Sequence, residues 1–295
     1  MSALLNYKLE GEGHTVVLIH GLFGSLDNLG LLARDLKNDH QVLSIDLRNH
    51  GHSFHSDAHN YALMAADVDQ LLTHLDIQQA TIIGHSMGGK VAMKLADIAA
   101  EKVAQLVILD MAPVAYTERR HENVIAGLEA VLEQKPSSRS EAMAILAKHV
   151  EIDGVRQFLG KSMMNQDSVM VWRFNVAALK ANYASIMGWE PIARCDIPTL
   201  FIKGGDSNYL TAEHQAQVQA QFSHAKAHVI AIRATGYMRK NRRKYCARFV
   251  NLSCEAARFT TQHPRCSLHT SVKSILIRAL TLPYNNGIVR ASKLA

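Results

Sequence analysis

The segment that most constrains the fold is Gly84-His85-Ser86-Met87-Gly88-Gly89, which joins an apolar run to a helical one. Ala80-Thr81-Ile82-Ile83 is apolar and β-branched, as a buried strand should be. Lys90-Val91-Ala92-Met93-Lys94-Leu95-Ala96-Asp97 reads as a helix. A strand that passes into a helix through Gly-x-Ser-x-Gly turns so sharply that its flanking positions require glycine. The turn exposes the serine hydroxyl and sets the next N–H at a helix N-terminus, where negative charge is favoured. Gly-x-Ser-x-Gly alone also occurs as a plain turn. Its place between a strand and a helix is what predicts a nucleophilic serine at Ser86.

Two further strand ends carry signals. Val16-Val17-Leu18-Ile19 runs into His20-Gly21-Leu22-Phe23-Gly24, a glycine-flanked loop whose backbone can approach a ligand closely. Acyl transfer needs donors aimed at a developing oxyanion, and the N–H groups of Leu22 and Met87 are the expected pair. His20 is expected to support this loop and His85 to pack beneath the turn. Val42-Leu43-Ser44-Ile45-Asp46 is a strand followed by Leu47-Arg48-Asn49-His50-Gly51-His52-Ser53. Asp46 and Arg48 are expected to be structural, in ion pairing with the turn. His50, His52 and His55 have no partner cluster and are expected to be solvated rather than ligands.

Together these residues resemble the α/β-hydrolase superfamily. More narrowly, His20 to Leu29, Gly84 to Lys90 and Trp172-Arg173-Phe174-Asn175, with Gly188-Trp189-Glu190 behind, resemble the YbfF-like family of small bacterial esterases. The resemblance runs from about residue 4 to residue 231. It implies a mostly parallel, doubly wound α/β sheet with a helical lid. It also implies serine hydrolysis of short carboxylic esters or acyl-CoA thioesters, with no cofactor and no metal. Other chemistries run on the same fold, such as perhydrolysis or C–C bond hydrolysis. An aspartate nucleophile would have indicated dehalogenation or epoxide opening, and Ser86 argues against both.

A serine hydroxyl needs a histidine to take its proton and a carboxylate to orient that histidine. Two aspartates qualify. Asp110 ends the strand Gln105-Leu106-Val107-Ile108-Leu109, and Asp206 follows the strand Ile197 to Lys203. Many α/β-hydrolases place the acid after the later strand, at a position closer in alignment to Ser207 than to Asp206. The YbfF-like resemblance favours Asp110, through Leu-Asp-x-Ala-Pro at 109–113, with Asp206 as the alternative. Either aspartate would also serve as an ordinary turn former.

The chain divides into core segments 1–110 and 195–231, a lid at 111–194 and a tail at 232–295. Helical periodicity covers 120–134, 138–150 and 153–164 in the lid. Phe23, Trp172, Phe174 and Trp189 are expected to line or support an acyl pocket, though lid packing alone accounts equally well for the lid aromatics. A helix is expected at 211–222 with Thr211 as its cap, then a last strand at 227–231.

At 295 residues and 48% apolar composition the chain suits one α/β domain with a lid. No apolar run is long enough to span a bilayer. Residues 1–14 lack a signal pattern, which points to the cytoplasm. Four cysteines suggest neither a disulfide framework nor a zinc site.

Charge separates the tail from the rest. Residues 1–231 hold 19 Lys and Arg against 25 Asp and Glu, whereas residues 232–295 hold 13 against the single Glu255. A triad histidine should follow the last strand in a Gly-His loop, yet after Ala231 no histidine occurs before His263. Tyr237 follows Gly236, but a phenol with pKa about 10 is a poor base near neutrality. Back-translation from the third base of Ala231, one base out of register, allows Asn-Thr-Gly-His-Trp-Leu-His and then an amphipathic helix. The expectation is therefore that the tail is an out-of-frame product of a one-base deletion, in which the final helix and the catalytic base are lost or replaced. The rival is a catalytically dead scaffold with a basic arm for nucleic acid. Ile275-Leu276-Ile277 is too apolar for a simple solvated arm, and no nucleic-acid motif is present.

Overall fold

A computed structural model describes residues 3–204 and 207–230. The chain alternates strands and helices: β1 (Tyr7–Glu10), β2 (Thr15–Ile19), α1 (Gly30–Leu36), β3 (Gln41–Ile45), α2 (Tyr61–His74), β4 (Ala80–His85), α3 (Met87–Ile98) and β5 (Val103–Leu109). It leaves the sheet for α4 (Glu122–Gln134), α5 (Arg139–Ala147), α6 (Asp153–Gly160), the hairpin β6 (Met163–Gln166) and β7 (Val169–Trp172), α7 (Val176–Ala181) and α8 (Tyr183–Met187). It returns as β8 (Thr199–Gly204), α9 (Gln215–Gln221) and β9 (Ala225–Ile230).

The seven-stranded sheet has the order β1-β3-β2-β4-β5-β8-β9. β1 is antiparallel to β3, and every other neighbouring pair is parallel. Strands covered on both faces must be apolar at successive positions, and β2 shows this. Its Val17 and Ile19 join the large core with α2 and α3, while Val16 and Leu18 pack with Ala33 and Leu36 of α1 on the opposite face. Side-chain caps fix several helix starts: Asn60 accepts from Leu63 N–H at α2, and Asn175 accepts from Ala178 N–H at α7.

The lid differs from expectation after Gly160. Helical periodicity to residue 164 gives way to the hairpin β6–β7, whose two turn residues Asp167 and Ser168 both have positive φ, 51° and 64°. A two-residue turn of this hand matches the twist of the paired strands. The segment carries no glycine to advertise it, so the sequence concealed it. Asp206 and the tail from 232 lie outside the described residues, and so does the expected final helix. Among the described residues no helix is long and apolar enough to cross a membrane.

Candidate active site

β2, β4 and β5 are neighbours in the sheet, so their carboxyl ends open side by side. Ile19 pairs with Gly84, and His85 pairs with Leu109. The loop after β2, Ser86 after β4 and Asp110 after β5 are thereby gathered at one edge. This is where open α/β sheets bind ligands.

Ser86 sits at the sharp junction of β4 and α3 with φ 52° and ψ −119°. A positive φ costs a non-glycine residue on the order of 1–3 kcal/mol and persists only when its surroundings hold it. Here Ser86 N–H donates to Leu109 O, while Ser86 O accepts from Gly89 and Lys90 N–H. Space enforces the glycines. A Cβ on Gly84 would lie 2.2 Å from Gly88 O, and one on Gly88 would lie 2.4 Å from both Ile19 O and His20 O. Phe23 and Asp110 also have positive φ, 60° and 55°, so backbone strain recurs at all three strand ends.

The loop after β2 is held by imidazoles. His20 donates from Nδ1 to Gly21 O at 2.8 Å, and its Nε2 accepts from Leu47 N–H at 3.1 Å. His50 donates from Nδ1 to Arg48 O at 3.0 Å, and its Nε2 accepts from Phe23 N–H at 3.2 Å. Phe23 N–H is therefore committed, whereas no acceptor among the described residues takes the Leu22 N–H. Met87 occupies the first turn of α3, where its N–H has no intrahelical acceptor. A Cβ on Gly21 would lie 3.3 Å from Ser86 Cβ, which places the loop directly against the serine.

His50 is a correction to the sequence expectation. It is fully buried, while His52 and His55 are exposed as expected. His59, which the sequence did not single out, is also fully buried, and the His20, His50 and His59 rings form a row with centroids 5.1 and 5.7 Å apart. Burial lowers the pKa of all three, His59 to about 4. His85 and His121 also fall to about 4, through burial and then the neighbouring His20 and Arg120 respectively. His20 and His50 spend both nitrogens on the backbone, and an imidazole at about 4 is a weak base near neutrality.

Asp110 is 2% exposed. Its Oδ2 accepts from Ser207 Oγ at 2.8 Å, while its buried Oδ1 has no partner among the described residues. Burial raises its pKa to about 6 against the opposing hydrogen bonds of Ser207 and the Gly204 backbone. A buried carboxylate oxygen without a donor is rare and calls for one. Ser207, from the loop after β8, thus brings the later acid position into contact with Asp110.

Asp46 and Arg48 are structural, but not as a mutual pair. Asp46 accepts from Asn6 Nδ2 and from Leu26 and His52 N–H. Arg48 makes a bidentate pair with Asp67 of α2 at 2.5 and 2.8 Å. The aromatics divide. Trp172 stacks on Phe174 at 5.4 Å and 8°, and Phe174 meets Phe23 at 5.3 Å, so a buried stack runs from the β2 loop into the lid. Trp189 instead packs on Tyr61 and donates to Gln221 Oε1. Lys90 is another residue the sequence did not flag. It is 1% exposed although it carries an amine, and only a lysine inside an apolar helical stretch hinted at it.

Residues 14–232 match the α/β-hydrolase fold family. Esterase YbfF of Escherichia coli (strain K12) is 48% identical over 216 residues, 73% of this chain and 84% of that protein. The sn-1-specific diacylglycerol lipase ABHD11 of Mus musculus is 35% identical over 240 residues, 77% of each chain. A solved marine microorganism esterase shares 30% identity with a TM-score of 0.75, covering 86% of this chain and 99% of that one.

Proposed function

The chain belongs to the α/β-hydrolase fold family, and we propose that its site is built for serine hydrolysis of carboxylic esters and acyl thioesters. One observation carries this: Ser86 sits in a strained elbow against the loop that holds Leu22, and the strand end that carries Asp110 pairs with the strand end before Ser86. Ser86 Oγ attacks the acyl carbonyl, and the two N–H groups receive the oxyanion. The stack of Phe23, Phe174 and Trp172 supplies an apolar wall for the acyl chain. Asp110 is the acid, and its unclaimed Oδ1 is where an imidazole N–H would bind. Asp206 is the alternative acid.

The Gly-His expected after the last strand is what the sequence lacks. His20 and His50 are fully engaged, and the residues after Ala231 bring no histidine before His263. We read residues 232–295 as out of frame, and the enzyme as impaired rather than repurposed. The names of the relatives agree with an ester or lipid substrate; acyl-CoA and a cytoplasmic location are part of the proposal. The basic tail, 13 Lys and Arg against one acid, favours a second reading as a nucleic-acid arm on a dead scaffold. Salt-sensitive DNA binding that disappears on truncation after Ala231 would support that reading instead.

The test compares p-nitrophenyl butyrate hydrolysis by this chain, by Ser86→Ala and by a chain with the shifted frame restored after Ala231. The first two are expected to be alike. The restored chain should gain on the order of 10⁶-fold in kcat, the cost of losing a triad histidine. Millimolar imidazole should partly rescue the first chain and leave Ser86→Ala unchanged. A restored chain no faster than its own Ser86→Ala variant would end the serine mechanism. Strong activity in the unrestored chain would show that another group serves as base.

A further inference from the structure

Lys90 lies one helical turn beyond Ser86 on α3, with its side chain buried. Its Nζ donates to Gly188 O at 2.7 Å and to Met187 O at 3.3 Å. The rings of Tyr116, Tyr61 and Trp189 surround it, with centroids 4.8, 5.4 and 5.9 Å from Nζ. No carboxylate pairs with it among the described residues, and burial is the sole cause of its lowered pKa. A buried ammonium is expensive unless acceptors and ring faces compensate it.

Everything in this cage belongs to one joint. Met187, Gly188 and Trp189 are the point where the lid leaves α8 and returns toward the sheet. The last carbonyls of a helix have no intrahelical donor and favour a cation. Tyr61 of α2 donates its hydroxyl to Ile186 O, and Tyr116 N–H, from the segment after β5, donates to Met187 O at 2.8 Å. Trp189 is in turn tied to Gln221 of α9, which donates to Pro113 O. The lid is thus rooted on α2, α3 and α9 and on its own entry segment at one place, and among these contacts the charged member is Lys90, on the nucleophile helix.

We propose that Lys90 is a positioning residue that clamps the carboxyl-terminal root of the lid to the helix starting at Ser86, so that the acyl wall keeps register with the nucleophile. This rests on the esterase reading for its purpose, but its contacts do not depend on it. Lys90 reaches neither substrate nor Ser86 Oγ in this role. It acts through the lid.

The clamp should also loosen with rising pH. Burial lowers Lys90 to about 7, so its ammonium is lost on passing neutrality. Of the other titratable groups facing the joint, Asp110 is raised by burial to about 6, below the Lys90 step, and burial lowers His214, edge-on to Tyr116, from the ordinary histidine range. Tyr61 and Tyr116 are both raised by burial, Asp110 behind Tyr116 adds to the latter's rise, and His121 beside Tyr183 stays neutral with a value near 4.

Hydrogen exchange measures this without hydrolysis, so failure of the esterase reading would leave the result intact. Rates corrected for intrinsic pH dependence would be followed from about pH 6 to about pH 9 on peptides covering 112–117 and 183–190. In Lys90→Met these peptides are expected to exchange about ten-fold faster, while β2 and β4 peptides and the melting temperature hold. The unaltered chain should lose the same protection with a midpoint near the Lys90 value of about 7, a step absent from Lys90→Met. Equal lid-root protection in both chains would overturn the proposal. Should Lys90→Met not fold, a flat profile in the unaltered chain overturns it on its own.

Discussion

Two regions of this molecule bury basic groups, and they do so in opposite ways. Beneath the loop after β2, His20, His50 and His59 form a row of imidazoles. At the lid root, Lys90 stands alone among carbonyls and aromatic faces. A neutral imidazole offers one donor and one acceptor, so His20 and His50 each take a backbone N–H and give to a backbone carbonyl. They can be dry because they are uncharged. A lysine ammonium offers only donors, so its surroundings must be acceptors throughout. The row holds a loop by matching polarity, and the lysine holds a lid by charge. The first is rigid as long as it remains neutral, and the second as long as it remains charged.

The largest effect expected from this contrast is acid lability. His59, His85 and His121 fold with pKa values near 4, below the 6.5 of an ordinary histidine, so the unfolded chain binds more protons between those limits. Stability is therefore complete above about pH 6.5 and falls as pH drops toward 4, each imidazole costing on the order of 3 kcal/mol once charged. Urea unfolding followed across this range checks it, and a midpoint that does not move would break the comparison. Next in size is His50→Ala. It leaves Phe23 N–H without its acceptor and empties a buried site, and it should cost about 3 kcal/mol by denaturant titration. His50→Gln, which offers a side-chain acceptor, should cost less. A loss no greater than that of an exposed His52→Ala would mean that the row carries no load. The smallest effect is expected at Lys90. Removing an unpaired buried cation in Lys90→Met should leave global stability unchanged or raise it by about 1 kcal/mol, because the desolvation cost goes with it. A thermal melt showing a loss as large as that at His50 would make Lys90 a core residue and erase the distinction.

Much of the site was legible in the chain because it is local. Gly84, Ser86 and Gly88 lie within five consecutive positions, and the clash of a Cβ at either glycine follows from that short path. The same holds for Leu22 and Met87, whose donors are backbone groups set by the residues beside them. Asp110 was legible as the end of an apolar strand, but its partnership with Ser207 was not, since 97 positions separate them. Trp189 followed the lid motif in sequence, yet its ring joins Tyr61 and Gln221 rather than the Phe23 stack. The hairpin β6–β7 was hidden because Asp167 and Ser168 adopt positive φ without glycine.

The sequence by itself determined the strand order's raw material, the sharp strand-to-helix turn at Ser86, the glycine-flanked loop after β2 and the change of character near Ala231. These depend on backbone geometry or composition over a few neighbouring residues. Only the tertiary structure decided that His50 is buried and bonded, that Arg48 seeks Asp67, that one oxygen of Asp110 has no donor among the described residues, and that Lys90 carries its amine into the lid root. The protonation and partners of a polar side chain depend on which distant segments exclude water from it, and packing alone settles that.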